Sequence, residues 1–196
     1  AIAEAAQARG AQVVLVTGPT ALLAPRGVEV VPIATAEEMY KALSARLAWS
    51  TTVIMAAAVS DYRPISPAQR KMKKQGKVGQ SLDLECTTDI LASLSAQRTT
   101  QLFVGFAAET HDLIANAQGK LIAKGLDLIV ANDVTTSGGG FGSDQNAAVL
   151  IDRQGVMIDV PLIPKRALAD VILNRAQQLL HARQSNDASS PVVRGH

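Results

Sequence analysis

Two groups of lysines carry the strongest cationic chemistry in the sequence. Lys71 begins a run of three lysines within four residues, whose charges repel each other unless a counter-charge lies near. Lys120 and Lys124 are spaced i, i+4, so they share one face of a predicted helix, where like charges are mildly unfavourable. A triphosphate would neutralise both groups. Solvation would serve equally well, and both interpretations stay open.

A carboxylate follows a buried strand at a position suited to ligand binding. Asp61 stands just beyond residues 53–59, an apolar run without polar alternation that is typical of a strand buried on both faces of a parallel sheet. Ligands of open α/β sheets bind at the carboxyl ends of such strands. Asp61 could therefore reach a ribose hydroxyl or a magnesium ion, or it could simply cap a turn.

A second apolar run ends in Gly105 and Phe106. The glycine would allow a ligand to approach the backbone, and the phenylalanine would offer one aromatic face to a base or sugar. The alternative is a packing glycine beside a core phenylalanine.

Strands that alternate with helices must position these residues, which predicts an α/β fold with a doubly wound, mostly parallel, Rossmann-like sheet. The predicted strands are residues 12–17, 28–33, 51–57, 101–106 and 126–131, and the predicted helices are residues 1–9, 35–48, 89–97, 112–124 and 165–184. Four strand ends, at residues 17–18, 58–61, 105–110 and 132–133, carry polar or glycine residues. Because carboxyl ends of parallel strands meet at one rim, we expect a shared site there.

Two further segments depart from the parallel pattern. Residues 81–86 alternate polar and apolar side chains, which predicts a half-exposed strand in a flap or between subunits of a homodimer, with Cys86 buried on its apolar face. Residues 147–151 and 156–160 predict a hairpin around Arg153-Gln154-Gly155. The glycine-rich residues 135–143 lack the Lys-Ser/Thr of a phosphate-binding P-loop and are predicted to be a flexible connection.

Length and composition limit the classes of function. A chain of 196 residues predicts one domain, residues 1–184, with a disordered tail at 185–196. No apolar run approaches the roughly 18–20 residues of a membrane span, and aromatics at 3 % offer few stacking platforms for nucleic acid. One cysteine allows no disulfide within the chain, which fits a cytoplasmic protein. The histidines show no metal-ligand spacing.

Six separated strings match one family in the same order: A-A-A-V-S-D-Y-R-P, K-M-K-K, T-D-I-L, G-F-A-A-E-T, K-L-I-A-K-G-L-D-L-I-V-A-N-D-V and F-G-S-D-Q-N. They resemble the synthetase domain of bacterial phosphopantothenoylcysteine synthetase, which is usually fused behind a flavin-dependent decarboxylase. The resemblance covers about residues 1–180.

The resemblance implies a ligase that joins 4′-phosphopantothenate to L-cysteine in coenzyme A synthesis. Such enzymes spend CTP with Mg²⁺, form an acyl-cytidylate and release pyrophosphate. Expected partners are the two substrates, a second copy of the chain and the decarboxylase domain, with no nucleic acid or membrane. The implied contacts are Ala58, Asp61 and Phe106 to base and ribose, Thr88, Asp89, Ile90 and Leu91 as a further wall, and Lys71, Lys120 and Lys124 to the triphosphate, with Lys71 also a catalytic lid residue. No metal ligand is identified.

Two departures from the family pattern affect these expectations. Thr88 stands where the family commonly has proline. The family's front segment, which bears a catalytic asparagine, has no counterpart, and residues 1–9 read as the middle of a helix whose preceding strand and turn are missing. The 196 residues alone are therefore not expected to complete catalysis. A nucleotide-binding module without chemistry and a dinucleotide oxidoreductase on the same fold remain the competing predictions.

Overall fold

The structure is a computed structural model and describes residues 1–73, 79, 81–109, 111–133 and 142–189. Its helices are α1 (Ile2–Ala8), α2 (Ala36–Ser44), α3 (Ile90–Ala96), α4 (Leu113–Ala123) and α5 (Lys165–Ser189). Its strands are β1 (Val14–Thr17), β2 (Glu29–Pro32), β3 (Thr52–Met55), β4 (Tyr62–Pro64), β5 (Leu84–Cys86), β6 (Leu102–Glu109), β7 (Leu128–Asp133), β8 (Gln145–Asp152) and β9 (Met157–Pro164).

The central sheet has the order β3-β6-β7-β8-β9. β3, β6 and β7 pair in parallel, whereas β8 and β9 add an antiparallel hairpin at one edge. The predicted α/β fold class and the predicted late hairpin are confirmed. Both hairpin strands are longer than their apolar runs because the ladder continues from Gln145 to Pro164.

Helices cover both faces of the central sheet. Along β7, Leu128 and Val130 pack into one core cluster with α5, whereas Ile129 and Ala131 pack into the other with α3 and α4. This division follows from the two-residue period of a strand, which sends successive side chains to opposite faces. The unbroken apolar runs in the sequence reflect this burial on two sides.

The first two strands form a separate parallel pair, β1 with β2. The side chains of β1 remain half-buried although its sequence predicts full burial. A cleft of about 480 Å³ explains the difference, because it runs between residues 13–16 and residues 51–57 and keeps β1 from pairing with β3.

A strand is present within the predicted residues 81–86 as β5, which pairs with β4 outside the central sheet, but all three of its residues are exposed and not half-exposed. Arg63 and Glu85 lie opposite each other and form an ion pair of 2.8 Å, and Arg63 also approaches Glu37 of α2 at 3.5 Å. That charged face points to α2, so the other face of the pair points away. The prediction that Cys86 is buried is therefore wrong, because Cys86 lies on the outward face and is exposed.

Helix boundaries follow the local signals with two exceptions, and the first is α2, which ends at Ser44 although its predicted end is residue 48. α2 begins with the predicted capping box, in which Glu38 N donates to Thr35 Oγ1 at 3.1 Å and Thr35 N donates to Glu38 Oε2 at 3.1 Å. α5 continues to Ser189, past its predicted end at residue 184. Residues 190–196 and most of the glycine-rich segment, residues 134–141, lie outside the described residues. Among the helices that are described, none is long and apolar enough to cross a membrane.

A buried carboxylate holds the amino end of the central sheet. Asp127 is 3 % exposed, accepts a hydrogen bond from Phe103 N at 2.8 Å and pairs with Arg98 at 3.0 Å. Arg183 of α5 also donates to it. The carboxylate therefore ties the backbone of β6, the loop after α3 and the last helix to one point. Asp170 makes a similar but exposed set of contacts, and hydrogen bonds from Arg166 and Arg9 lower its pKa.

We predict that Asp127→Ala lowers the free energy of unfolding by about 2–4 kcal/mol, because it leaves arginines and a buried N–H without their acceptor. Asp170→Ala is the matched control, since it also removes the partner of two arginines but at an exposed site, where the effect should be much smaller. Urea denaturation measures both. Equal losses for the two variants would show that burial does not govern the strength of these ion pairs.

Candidate functional site

A cavity of about 270 Å³ lies beyond the carboxyl end of β3, against β6, β7 and the facing ends of α3 and α4. It contains nine of the ten predicted site residues: Ala58, Asp61, Thr88, Asp89, Ile90, Leu91, Phe106, Lys120 and Lys124. The tenth, Lys71, is exposed on the segment after β4 and is not among the lining residues. Of the four predicted strand ends, two contribute to this cavity: residues 58–61, and Phe106 from residues 105–110.

The apolar part of this cavity is built on Gly105. A Cβ at this position would lie 2.5 Å from Leu126 Cδ1 and 3.1 Å from Leu91 Cδ2, both of them lining side chains. Of the two interpretations of Gly105, ligand approach or packing, the structure supports packing. Because Gly105 has no side chain, Leu91 and Leu126 can pack closely against β6. Ile90 and Leu91 are likewise core residues, 2 % and 6 % exposed, that contribute their outer edges to the wall.

Loops on two sides of the cavity are joined by hydrogen bonds. Thr87 N donates to Asp61 O at 2.8 Å, and the Thr87 hydroxyl donates to Ser60 O. These bonds hold the loop after β3 against the loop that leads into α3. The backbone of Asp61 is thereby held beside the cavity that this exposed residue lines.

Asp89 has two roles at the opposite wall. Its Oδ1 accepts from Ala92 N at 3.0 Å and caps α3, and its Oδ2 lies 3.2 Å from Lys124 Nζ. Lys124 is also held through its backbone, because the Ser95 hydroxyl donates to Lys124 O at 2.6 Å. The sequence placed Asp89 and Lys124 at the site but gave no sign of this ion pair, since it joins residues that are 35 positions apart.

The charge of the cavity is balanced in the absence of a ligand. Lys120 and Lys124 supply two positive charges, and Asp61 and Asp89 supply two negative ones. An anion that binds the lysines must compete with Asp89 for Lys124. No group of three or more His, Cys, Asp or Glu side chains could hold a metal ion in the described part of the chain. Magnesium held mainly by phosphate oxygens needs only one or two carboxylates, which Asp61 and Asp89 can provide.

A second cavity of about 250 Å³ lies on the other face of the sheet and was missed by sequence reasoning. Phe106 lines both cavities. The walls of the second cavity also include Ala56, Asn132, Asn146, Lys165 and Ile172. Asn132 belongs to a strand end that the sequence did mark. Asn146 ends the matched string F-G-S-D-Q-N, but the sequence assigned it no place in a site. Thr17 and Gly18, also marked as a strand end, line neither cavity.

The family model for the C-terminal domain of DNA/pantothenate metabolism flavoproteins matches residues 1–180. The chain belongs to this family. The resemblance found from the sequence strings is confirmed at that level. As a member of the DNA/pantothenate metabolism flavoprotein family, the chain is 40 % identical over 190 residues to the Coenzyme A biosynthesis bifunctional protein of Bacillus subtilis, covering 96 % of this chain and 46 % of that protein.

Two further similarities agree with the family assignment. The bifunctional protein of the same description from Vibrio parahaemolyticus is 41 % identical over 182 residues, 92 % of this chain and 45 % of that protein. The crystal structure of the C-terminal domain of a Coenzyme A biosynthesis bifunctional protein superposes with a TM-score of 0.76 at 35 % identity, over 92 % of this chain and 81 % of that one. The chain spans less than half the length of these curated relatives.

We predict that Gly105→Ala destabilises the protein by about 1–3 kcal/mol, because the new methyl group overpacks Leu126 and Leu91. The same displacement should distort the cavity wall. Gly119→Ala in α4 is the matched control, since a Cβ there meets nothing within 4 Å and alanine favours the helix by roughly 1 kcal/mol. Thermal unfolding of both variants gives the comparison. A neutral Gly105→Ala would contradict the packing role.

Proposed function

We propose that this chain is the CTP-dependent ligase unit of coenzyme A biosynthesis, which joins 4′-phosphopantothenate to L-cysteine. Family membership and the names of the bifunctional relatives support a place in coenzyme A biosynthesis. The choice of nucleotide and of acceptor rests on the sequence resemblance. The proposal includes cytoplasmic action beside a flavin-dependent decarboxylase domain.

One observation carries the proposal most directly: Lys120, Lys124 and Asp61 line a single cavity at the carboxyl end of a parallel strand. Two ammonium groups on one helix face suit a triphosphate, which carries more negative charge than Asp89 and can displace it from Lys124. Asp61 at the mouth suits a ribose hydroxyl. Phe106 offers a partly buried aromatic face beside these groups.

In the proposed reaction, a carboxylate oxygen of 4′-phosphopantothenate attacks the α-phosphorus of CTP, and the bond to the β-phosphate oxygen breaks. Pyrophosphate leaves with the bonding electrons, and an acyl-cytidylate forms. The amine of cysteine then attacks the acyl carbon, loses a proton and releases CMP. Lys120 and Lys124 would stabilise the negative charge that collects on the departing pyrophosphate, which is a large contribution when the cations are fixed beforehand.

Mg²⁺ would bind phosphate oxygens together with Asp61 and would neutralise part of the triphosphate charge. Lys71 would close over the bound nucleotide as part of a lid, which requires the segment after β4 to move toward the cavity. Its role stays a prediction.

Thermal shift assays with CTP, ATP and NAD, each with magnesium, test the choice of nucleotide. Selective stabilisation by CTP supports the proposal, whereas selective stabilisation by NAD would support the competing dinucleotide oxidoreductase. Pyrophosphate release is then measured with CTP, 4′-phosphopantothenate and L-cysteine, for the 196-residue chain and for the chain fused to the front segment of the Bacillus subtilis relative. CTP binding without pyrophosphate release from the fused protein would favour a binding module.

We predict that changing Lys120 and Lys124 together to glutamine weakens CTP binding at least tenfold and leaves cytidine binding nearly unchanged. The lysines would contact phosphates, and charge-assisted hydrogen bonds contribute about 1.5–3 kcal/mol each. Calorimetric titration with the two ligands gives the affinities. Lys41→Gln on α2 is the control for loss of one surface charge. An equal loss for CTP and cytidine would exclude the lysines as phosphate ligands.

We predict a homodimer formed through the outward face of β4 and β5. This face carries Tyr62, Leu84 and Cys86, and Tyr62 and Leu84 are 59 % and 50 % exposed. An apolar strand face of this kind is stabilised by contact with a partner. Sedimentation velocity at micromolar concentration should show a dimer that Leu84→Glu dissociates. A monomer under all conditions would exclude this assembly.

A further inference from the structure

The helix α4 ends in a glycine cap directly after Lys124. Gly125 N donates to Ile122 O at 3.1 Å and Leu126 N donates to Leu121 O at 2.9 Å, which are the two hydrogen bonds of a Schellman motif. Gly125 has a φ of +61°, the left-handed conformation that this motif requires and that glycine adopts without strain. The cap therefore fixes the backbone of the residue that carries the Lys124 ammonium.

Ser95 of α3 adds a hydrogen bond to this cap from a different helix. The last carbonyls of an α-helix have no donor within the helix, and Lys124 O stands at this position. The Ser95 hydroxyl donates to Lys124 O at 2.6 Å and also lies 3.0 Å from Ala92 O. A hydroxyl has a single hydrogen, and the shorter distance favours Lys124 O as its acceptor. Ser95 is 8 % exposed, so water hardly competes for this bond.

The glycine of the cap also makes room for this hydroxyl. A Cβ on Gly125 would lie 3.1 Å from Ser95 Oγ, closer than an ordinary van der Waals contact. The two helices thus approach each other where one residue has no side chain and the facing residue has a short polar one. Ser95 can reach the Lys124 carbonyl because both features occur together.

A residue at the turn of the β8–β9 hairpin holds the segment that follows the cap. Arg153 N donates to Asp127 O at 3.1 Å, and Arg153 Nε donates to Leu126 O at 3.1 Å. The backbone from Lys124 to Asp127 is therefore held by contacts from α3 and from the hairpin, in addition to the cap itself. Such a segment has little freedom to move when a ligand binds beside it.

The ammonium end of Lys124 is held much less firmly than its backbone. Lys124 Nζ lies 3.2 Å from Asp89 Oδ2, and the two side chains are 37 % and 48 % exposed. Ion pairs at this degree of exposure are weak, because water and salt screen them. The flexible stem of a lysine lets the ammonium change its partner while the backbone stays in place.

We propose that Ser95 is a positioning residue for Lys124. Its hydroxyl fixes the backbone of Lys124, so that the ammonium exchanges the Asp89 carboxylate for a phosphate of the bound nucleoside triphosphate without a rearrangement of α4. A cation that is positioned beforehand loses less conformational freedom on binding, which raises the affinity for the triphosphate. This inference rests on the proposed function and adds a residue that does not itself line the cavity.

The test is a double-mutant cycle on CTP affinity, measured by calorimetric titration with magnesium. Ser95→Ala should weaken CTP binding about 3- to 10-fold and leave cytidine binding unchanged. In a chain that already carries Lys124→Gln, the same substitution should have no further effect on CTP binding, because the ammonium that Ser95 positions is gone. Ser93→Ala in the same helix is the matched control and should change neither affinity.

The cycle separates positioning from a general structural role. Unchanged CTP affinity in Ser95→Ala would overturn the inference. So would an equal loss with and without the Lys124 ammonium, or an equal loss for CTP and cytidine. Ser95→Cys gives the same comparison if Ser95→Ala does not fold, because the thiol keeps the side chain in place but is only a weak donor.

The outcome also distinguishes this inference from the proposed function. Failure of the unaltered chain to bind CTP would contradict the proposed function and the inference with it. CTP binding that depends on Lys124 but not on Ser95 would contradict the inference alone.

Discussion

The fold depends on a carboxylate buried at the amino end of its central sheet. Asp127 accepts hydrogen bonds from a β6 amide and from arginines on α5 and after α3. A buried charge is tolerated only when such partners satisfy it, so all three elements must be in place together. At this end of the sheet, the Asp127 carboxylate and the arginines Arg98 and Arg183 are therefore paired with one another within the fold. At the opposite end, Asp61 and Lys120 line the first cavity and Asn146 lines the second.

The candidate site combines structural and functional demands in the same residues. Asp89 caps α3 with one oxygen and holds Lys124 with the other, so the lysine is positioned before any ligand binds. Such positioning reduces the reorganisation that binding requires, which makes fixed cations effective at stabilising charge. In the proposed reaction the cost would be competition, because a phosphate would have to replace the Asp89 carboxylate at Lys124. Gly105 likewise has a structural effect at the site, because its missing side chain lets Leu91 and Leu126 pack at the wall of the cavity.

The two cavities follow from the geometry of a strand end. Side chains alternate between the faces of β3, so one short segment contributes walls to both cavities. Phe106 on the adjacent strand separates them and contacts both.

The sequence alone determined the fold class, the order of the described strands and helices apart from β4, the capping box of α2 and nine of the residues that line the first cavity. Those features depend on local periodicity, side-chain chemistry and matching strings, all of which are written along the chain. Only the tertiary structure decided that Cys86 is exposed, that β1 borders an open cleft, that Lys124 pairs with Asp89 and that Lys71 stands apart from the other lysines. It also decided that Asn132 and Asn146 share a cavity. These outcomes depend on which faces and strand ends meet in space, and side chains distant in sequence carry no local signal of their partners.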